Sequence, residues 1–240
     1  MPRFTDNVPN STFSFSQVDL NQLGAAEYTL VDIQIDASGS VSGFGSDMEK
    51  FIGTVVEACR KSPRSDNLLL RVSKFNGRLQ EIHGFKLLQD CNPADYINTL
   101  RPSGSTALYD ATHNGIQAVV EQGRILSQND FLANGIVFIV TDGENNGSAV
   151  GVNTIQQAIA ASVQGETLES LQTILIGVNS GGTLTRYLDD FKTQAGLGAF
   201  HAMQGATSQD LARLANFVSK SISSQSQALG TGSASVALTF

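Results

Sequence analysis

The sequence contains two cysteines, no tryptophan and five prolines in 240 residues. Two thiols, Cys59 and Cys91, are too few for a small fold held together by disulfides. Cys59 falls on the apolar stripe of a predicted helix and reads as a buried free thiol. Charge is scarce too: Lys, Arg, Asp and Glu make up 15% of the chain, against the roughly 25% usual in soluble domains. The deficit is basic, with 15 Lys and Arg against 22 Asp and Glu and a net charge of −7. A protein that neutralises phosphates needs a basic footprint, so nucleic acid is excluded as the expected partner. The same sign argues against adsorption to an anionic membrane surface. No run approaches the ~18 consecutive apolar residues of a membrane span. The opening MPRFTDNVPNSTFSF lacks the apolar stretch of an export signal. These absences lead to the expectation of a cytoplasmic chain with no membrane partner. The sequons Asn10-Ser11-Thr12 and Asn146-Gly147-Ser148 then read as chance matches.

What is present is a core. Hydrophobic residues make up 41%, too many for a disordered chain, and the length suits one large α/β domain. Tyr28 to Ile35 reads as a strand, and Phe44, Met48, Phe51, Ile52, Val55, Val56 and Cys59 recur at helical spacing until Pro63 closes the segment. Leu68 to Val72 reads as the next strand. Asn76-Gly77 signals a hairpin from which Leu79 to Phe85 returns antiparallel. A helix is predicted from Thr106, as its N-cap, to about Gln122, with Asp110 in the first turn. Gly135 to Val140 is the short apolar run of a strand buried on both faces. Helical stripes at Ile155 to Val163, Leu184 to Phe191 and Leu211 to Ile222 alternate with strands at Leu171 to Val178 and Ala199 to Met203. Such alternation predicts a mostly parallel sheet with helices on both faces.

The organisation read from this is an N-terminal extension over 1–25, one domain over 26–226 and a tail over 227–240. Ser219 to Ser235, dense in Ser, Gln and Gly, reads as flexible linker. The alternating run Ser233 to Phe240 is either a frayed end or a strand that joins a sheet edge of this chain or a neighbour.

Three separated segments bring carboxylates and hydroxyls to equivalent points of the predicted sheet. They are Asp36-Ala37-Ser38-Gly39-Ser40 after the first strand, Ser103-Gly104-Ser105-Thr106 before a helix, and Thr141-Asp142-Gly143 after the most apolar strand. The carboxyl ends of strands are where open α/β sheets bind ligands. The donors are hard oxygens without Cys or His at ligand spacing, which favours Mg²⁺, Mn²⁺ or Ca²⁺ over Zn²⁺ or copper. Helix caps and a turn would account for any one segment taken alone.

Asp36-x-Ser38-x-Ser40, the distant Thr106 in SGSTALYDA and the distant Asp142 in VTDGENN resemble the metal-ion-dependent adhesion site of the von Willebrand factor A domain. The resemblance spans roughly 28–226. It implies a doubly wound, Rossmann-like fold with a six-stranded, mostly parallel sheet and one antiparallel edge strand. It also implies Ser38, Ser40 and Thr106 as direct ligands of Mg²⁺, Asp36 and Asp142 as residues that hold coordinated water, and a partner's Asp or Glu at an open metal position. GSTALYDA with VTDGENN looks similar to the intracellular bacterial branch that includes tellurite-resistance-associated stress proteins and partners of AAA+ ATPases. The expected function is therefore a non-enzymatic, metal-dependent protein-interaction module. Its rim would be Val41 to Gly45, Leu100 to Ser105 and Gly143 to Val152, with Phe44 either an exposed anchor or the start of the helix's core stripe.

Two other classes stand beside it. A surface or assembly subunit could polymerise through the terminal strand. A metal-assisted hydrolase would need a general base or nucleophile within reach. Asp36 lacks a second Asp two residues on, no P-loop or GxSxG elbow occurs, and His83, His113 and His201 sit in no catalytic pattern and read as structural.

Overall fold

The computed structural model describes residues 5–7, 14–164, 167–234 and 238. A short antiparallel pair, β1 (Thr5–Asn7) and β2 (Ser14–Ser16), comes first in the chain. The domain then alternates as predicted: β3 (Glu27–Asp36), α1 (Gly45–Cys59), β4 (Leu68–Phe75), β5 (Leu79–Leu87), α2 (Leu108–Ser127), β6 (Leu132–Thr141), α3 (Val152–Gln164), β7 (Leu171–Gly177), α4 (Gly182–Ala195), β8 (Ala199–Ala202) and α5 (Ser208–Thr231). The main sheet runs β5-β4-β3-β6-β7-β8, with β5 antiparallel to β4 and the other pairings parallel.

Because successive strand side chains point to opposite faces, β3 feeds two cores. Val31, Ile33 and Ile35 pack with Met48, Ile52 and Val56 of α1 and with Leu214, Val218 and Ile222 of α5. Leu30 packs on the other face with Leu69, Val137 and Ile139, under Ile116 and Val119 of α2, Ile155 of α3 and Leu188 of α4. Both faces are therefore closed by helices, as a parallel sheet requires.

The second face also holds a polar layer. Arg71 is fully buried and directly opposite Asp32 in the β3–β4 ladder. Its Nη1 donates to Asp32 Oδ1 at 2.8 Å, its Nε to Glu81 Oε1 at 2.6 Å and its Nη2 to Asn114 Oδ1 of α2 at 2.8 Å. Gln34 donates to the other Asp32 oxygen at 2.6 Å. A Cβ on Gly115 would stand 2.6 Å from that same oxygen, so glycine is what lets α2 close over the pair. Glu81 extends the layer outward, accepting from the Ser16 amide at 3.1 Å and the Ser16 hydroxyl at 2.9 Å.

Three expectations are corrected here. The extension read over 1–25 is part of the domain from residue 14 on: Phe15 and Val18 are buried in the second core, and the Val18 amide donates to Gln122 Oε1 at 3.2 Å. The Ser/Gln-rich stretch read as linker, and the boundary at 226, fall inside α5, which continues to Thr231. A Thr207/Asp210 capping box starts that helix and Gly232, at φ 65°, ends it in the left-handed conformation. Gln225 and Ser226 are buried there with hydrogen-bond partners. Gln225 donates to Ser170 Oγ at 2.8 Å, its carbonyl accepts from Asn134 at 2.7 Å, and Ser226 Oγ accepts from Arg64 at 3.0 Å. The terminal run Ser233 to Phe240 lies largely outside the described residues, of which Leu238 packs against the first core. Thr106 does not cap α2, which begins at Leu108.

Arg71→Met should lower stability by about 3–5 kcal/mol, because it leaves the Asp32 carboxylate buried without its counter-charge. Urea denaturation checks this, and Arg71→Met/Asp32→Leu should recover much of the loss.

Candidate metal centre

β3 and β6 are parallel neighbours whose ladder ends at Ile35 opposite Val140. The next residues, Asp36 and Thr141, therefore emerge side by side. Asp36 is fully buried. Its Oδ2 accepts from Thr141 Oγ1 at 2.6 Å, and its Oδ1 accepts from the Ser38 amide at 2.7 Å. That second bond turns the chain sharply, and the Ser38 and Ser40 hydroxyls come to lie 3.0 Å apart. Ser40 Oγ donates to Asp142 Oδ1 at 2.7 Å, which joins the loop after β3 to the loop after β6.

The third segment docks through its backbone. Gly39 N–H donates to the Gly104 carbonyl at 3.2 Å and Ser103 N–H to the Ala37 carbonyl at 2.9 Å. Gly104 has φ +76°, a conformation that favours glycine. Thr106 is buried, and its Oγ1 lies 3.3 Å from where a Cβ on Gly143 would stand. All three predicted segments thus meet at the C-terminal edge of the sheet.

Because Thr106 lies two residues before α2, its hydroxyl is not committed to capping. The loop after β6 does that work. Asn146 Oδ1 accepts from the Thr106 amide at 2.6 Å, and Ser148 Oγ accepts from the Tyr109 and Asp110 amides at 3.0 and 3.1 Å. In return, Asp110 accepts from the Ala149 and Val150 amides at 3.0 and 2.9 Å. Tyr187 of α4 accepts from the Asn145 amide at 3.1 Å and pairs with the Tyr109 hydroxyl at 2.7 Å. The sequence reading places Asn145, Asn146 and Ser148 in the rim and Tyr187 on a helical stripe, without their role in holding the start of α2. The signal was there in Glu144-Asn145-Asn146-Gly147-Ser148, a string of side-chain acceptors following a strand. Asn146, noted for its sequon, has its carboxamide oxygen engaged by Thr106. Phe44 packs against the first core, so it begins the core stripe of α1.

Burial pushes the Asp36 carboxyl up to about 6, against the opposing hydrogen bonds from Thr141 and Ser38, and burial also raises Asp142. Among the described residues, no Lys, Arg or His forms an ion pair with either. A cation between them would favour the charged forms of both. Nor do the described residues contain a group of three or more His, Cys, Asp or Glu able to hold a metal. The donor set is two carboxylates and three hydroxyls, all hard oxygen, and it fits a small divalent cation that keeps some of its water. Ser38, Ser40, Thr106, Asp36 and Asp142 are the residues that would hold it.

No protein-family model and no curated protein sequence matches the chain. Solved structures do. The PilB minor pilin from Streptococcus sanguinis aligns at TM-score 0.60 with 15% identity over 88% of this chain and 64% of its own. A von Willebrand factor type A protein from Catenulispora acidiphila aligns at 0.58 with 12% identity over 86% and 44%. Proximal thread matrix protein 1 from the mussel byssus, with a zinc-occupied MIDAS motif, aligns at 0.52 with 19% identity over 82% and 46%. The chain therefore spans less than two thirds of each of these proteins. Taken with the strand order β5-β4-β3-β6-β7-β8 and its single antiparallel edge, these likenesses identify the architecture as the Rossmann-like α/β fold of von Willebrand factor type A domains.

Proposed function

We propose that this chain is a metal-dependent protein-binding module whose Ser38, Ser40, Thr106, Asp36 and Asp142 hold a divalent cation of the Mg²⁺ type and offer it to an Asp or Glu carboxylate of a partner protein. The observation that carries the reading is the Ser40–Asp142 bond of 2.7 Å between loops 102 positions apart, beside a buried Asp36 that has no basic partner among the described residues. A cation held mainly by neutral hydroxyls keeps most of its charge for an outside carboxylate. The protein's own part is positioning. Asp36 fixes the Ser38 turn and ties it to β6, Ser40 orients Asp142, and the Asn146–Ser148 clamp holds Thr106 in place. The occupied motif of the similar byssus protein supports a divalent ion on this fold.

We read the module as non-enzymatic. Both His83 nitrogens are engaged, with the Gly84 carbonyl at 2.8 Å and the Tyr96 hydroxyl at 2.9 Å, and burial pushes its imidazole down to about 4. Cys59 and Cys91 lie in the first core with thiols pushed up by burial to about 12 and about 11, far from nucleophilic. The sequence resemblance would set the module in a cytoplasmic, stress-response or AAA+ ATPase-linked system. A second setting, adhesion or assembly at a surface through the same site, is favoured by the likeness to a minor pilin and a byssal thread protein. Fractionation of the source cells separates the two.

Mg²⁺ or Mn²⁺ should raise the melting temperature and EDTA should reverse the rise; at a hundred times its dissociation constant the ion contributes about 2.7 kcal/mol. Asp142→Ala should abolish that shift yet unfold as cooperatively as the wild type, since among the described residues this partly buried carboxylate accepts one side-chain hydrogen bond, from Ser40. An unchanged melting curve across millimolar metal would overturn the reading. In affinity capture from lysate of the source cell, a protein retained by the wild type in Mg²⁺ should be lost both in EDTA and with Asp142→Ala. Equal retention in all three would show that binding does not use the metal.

A further inference from the structure

A cavity of about 280 Å³ opens at the C-terminal ends of β3 and β4 and shares a wall with the candidate metal loop. Ala37, between Asp36 and Ser38, lines it together with Lys74, Asn76, Arg78 and Arg101. Asn76 fixes the wall nearest the metal loop. Its carbonyl accepts from the Ala107 amide at 2.7 Å, its Oδ1 from the Arg78 amide at 3.0 Å, and its Nδ2 reaches Ser103 Oγ at 3.4 Å.

The charge of the lining is opposite to that of the whole. The chain carries −7, yet three of its 15 basic residues line this one cavity and, among the described residues, no acidic one does. Lys74 Nζ is tethered to the Thr99 carbonyl at 2.6 Å, and its ammonium is held below the usual lysine range first by burial and then by the charge of Arg101. Arg78 and Arg101 are exposed, and among the described residues neither makes an ion pair. Like charges gathered around one concavity create a positive potential that an anion relieves. The anion best placed to arrive belongs to whatever docks on the adjoining metal loop.

We propose that this cavity receives a second carboxylate from the same acidic partner segment whose first carboxylate meets the metal, so that the partner is recognised by a pair of acidic residues. The proposal rests on the metal-dependent reading above and adds to it the chemistry of the partner. Two weak contacts on one segment reinforce each other through effective concentration, and the basic cavity would reject partners with Lys or Arg at the second position.

The test is a titration of the ¹⁵N-labelled full chain, in Mg²⁺ and in EDTA, with synthetic Gly/Ser peptides carrying either one Asp or two Asp at a range of separations. The best two-Asp peptide should bind the wild type in Mg²⁺ about tenfold more tightly than the one-Asp peptide. Arg78→Gln/Arg101→Gln, two exposed changes, should erase that advantage and leave both the one-Asp affinity and the Mg²⁺-induced rise in melting temperature as they were. Equal affinity of the wild type for one- and two-Asp peptides at every separation overturns the proposal, and so does an advantage that survives in the arginine variant. If Mg²⁺ and the one-Asp peptide both leave the spectra unchanged, the metal reading has failed. The cavity is then decided in EDTA: two-Asp peptide shifts at Ala37 and Asn76 that vanish in the arginine variant support it, and their absence overturns it.

Discussion

Everything at the candidate site depends on the buried carboxylate of Asp36 and its bond to Thr141. Parallel pairing of β3 and β6 sets these two residues beside each other, and the 2.6 Å bond between them seals the end of the ladder. The other oxygen of Asp36 then captures the Ser38 amide and so decides where Ser38 and Ser40 point. A buried carboxylate is costly unless its oxygens are satisfied. Here both are, by one hydroxyl and one amide, and the price of burying it sets the shape of the loop.

Around that anchor the site has a stiff side and an adaptable side. The loop after β6 is bound along its length to the start of α2 and to Tyr187, so Thr106 and Asp142 are presented from a frame fixed by reciprocal hydrogen bonds. The stretch around Arg78 and Arg101 is different: its cationic side chains reach into solvent without ion-pair partners among the described residues. Long flexible cations beside a preorganised oxygen cage suit a surface where one contact fixes geometry and its neighbours adjust to it.

Much of this was legible in the sequence because it is periodic. The strand from Gly135 is a continuous apolar run, those from Tyr28, Leu68 and Leu171 are rich in aliphatic residues, and the hairpin at Asn76-Gly77 carries its own turn chemistry, so the sheet and its antiparallel edge follow from local pattern. The five oxygen donors were legible as a spaced motif. What escaped was whatever depends on a distant polar partner. Thr106 looked like an N-cap because Thr before a helix usually is one, but Ser148, some 40 positions away, caps α2 instead, while Asn146 holds the Thr106 amide. Ser219 to Thr231 looked like linker because composition alone cannot register that Gln225 and Ser226 find partners on β6, near β7 and at Arg64. Ser16 gave no sign that it would bind Glu81. Long-range hydrogen bonds leave no local signature, and they override propensity where they form.

The Asp32–Arg71 pair has a consequence for how the chain finds its register. Most other β3–β4 pairs juxtapose aliphatic or small residues that would tolerate a shift. A slip of two residues keeps every side chain on its own face. One such slip would set Asp32 against Leu69 and Arg71 against Gln34; the other would set Asp32 against Ser73 and Arg71 against Leu30. Either leaves two buried charges apart in a low-dielectric interior, a cost no aliphatic contact can offset. The ladder therefore has one alignment at which it can close, and that alignment sets Asp36 opposite Phe75, whose carbonyl accepts from the Ala37 amide of the candidate metal loop at 2.7 Å. A charge pair in the middle of the sheet thus proofreads the geometry of an oxygen cage at its edge.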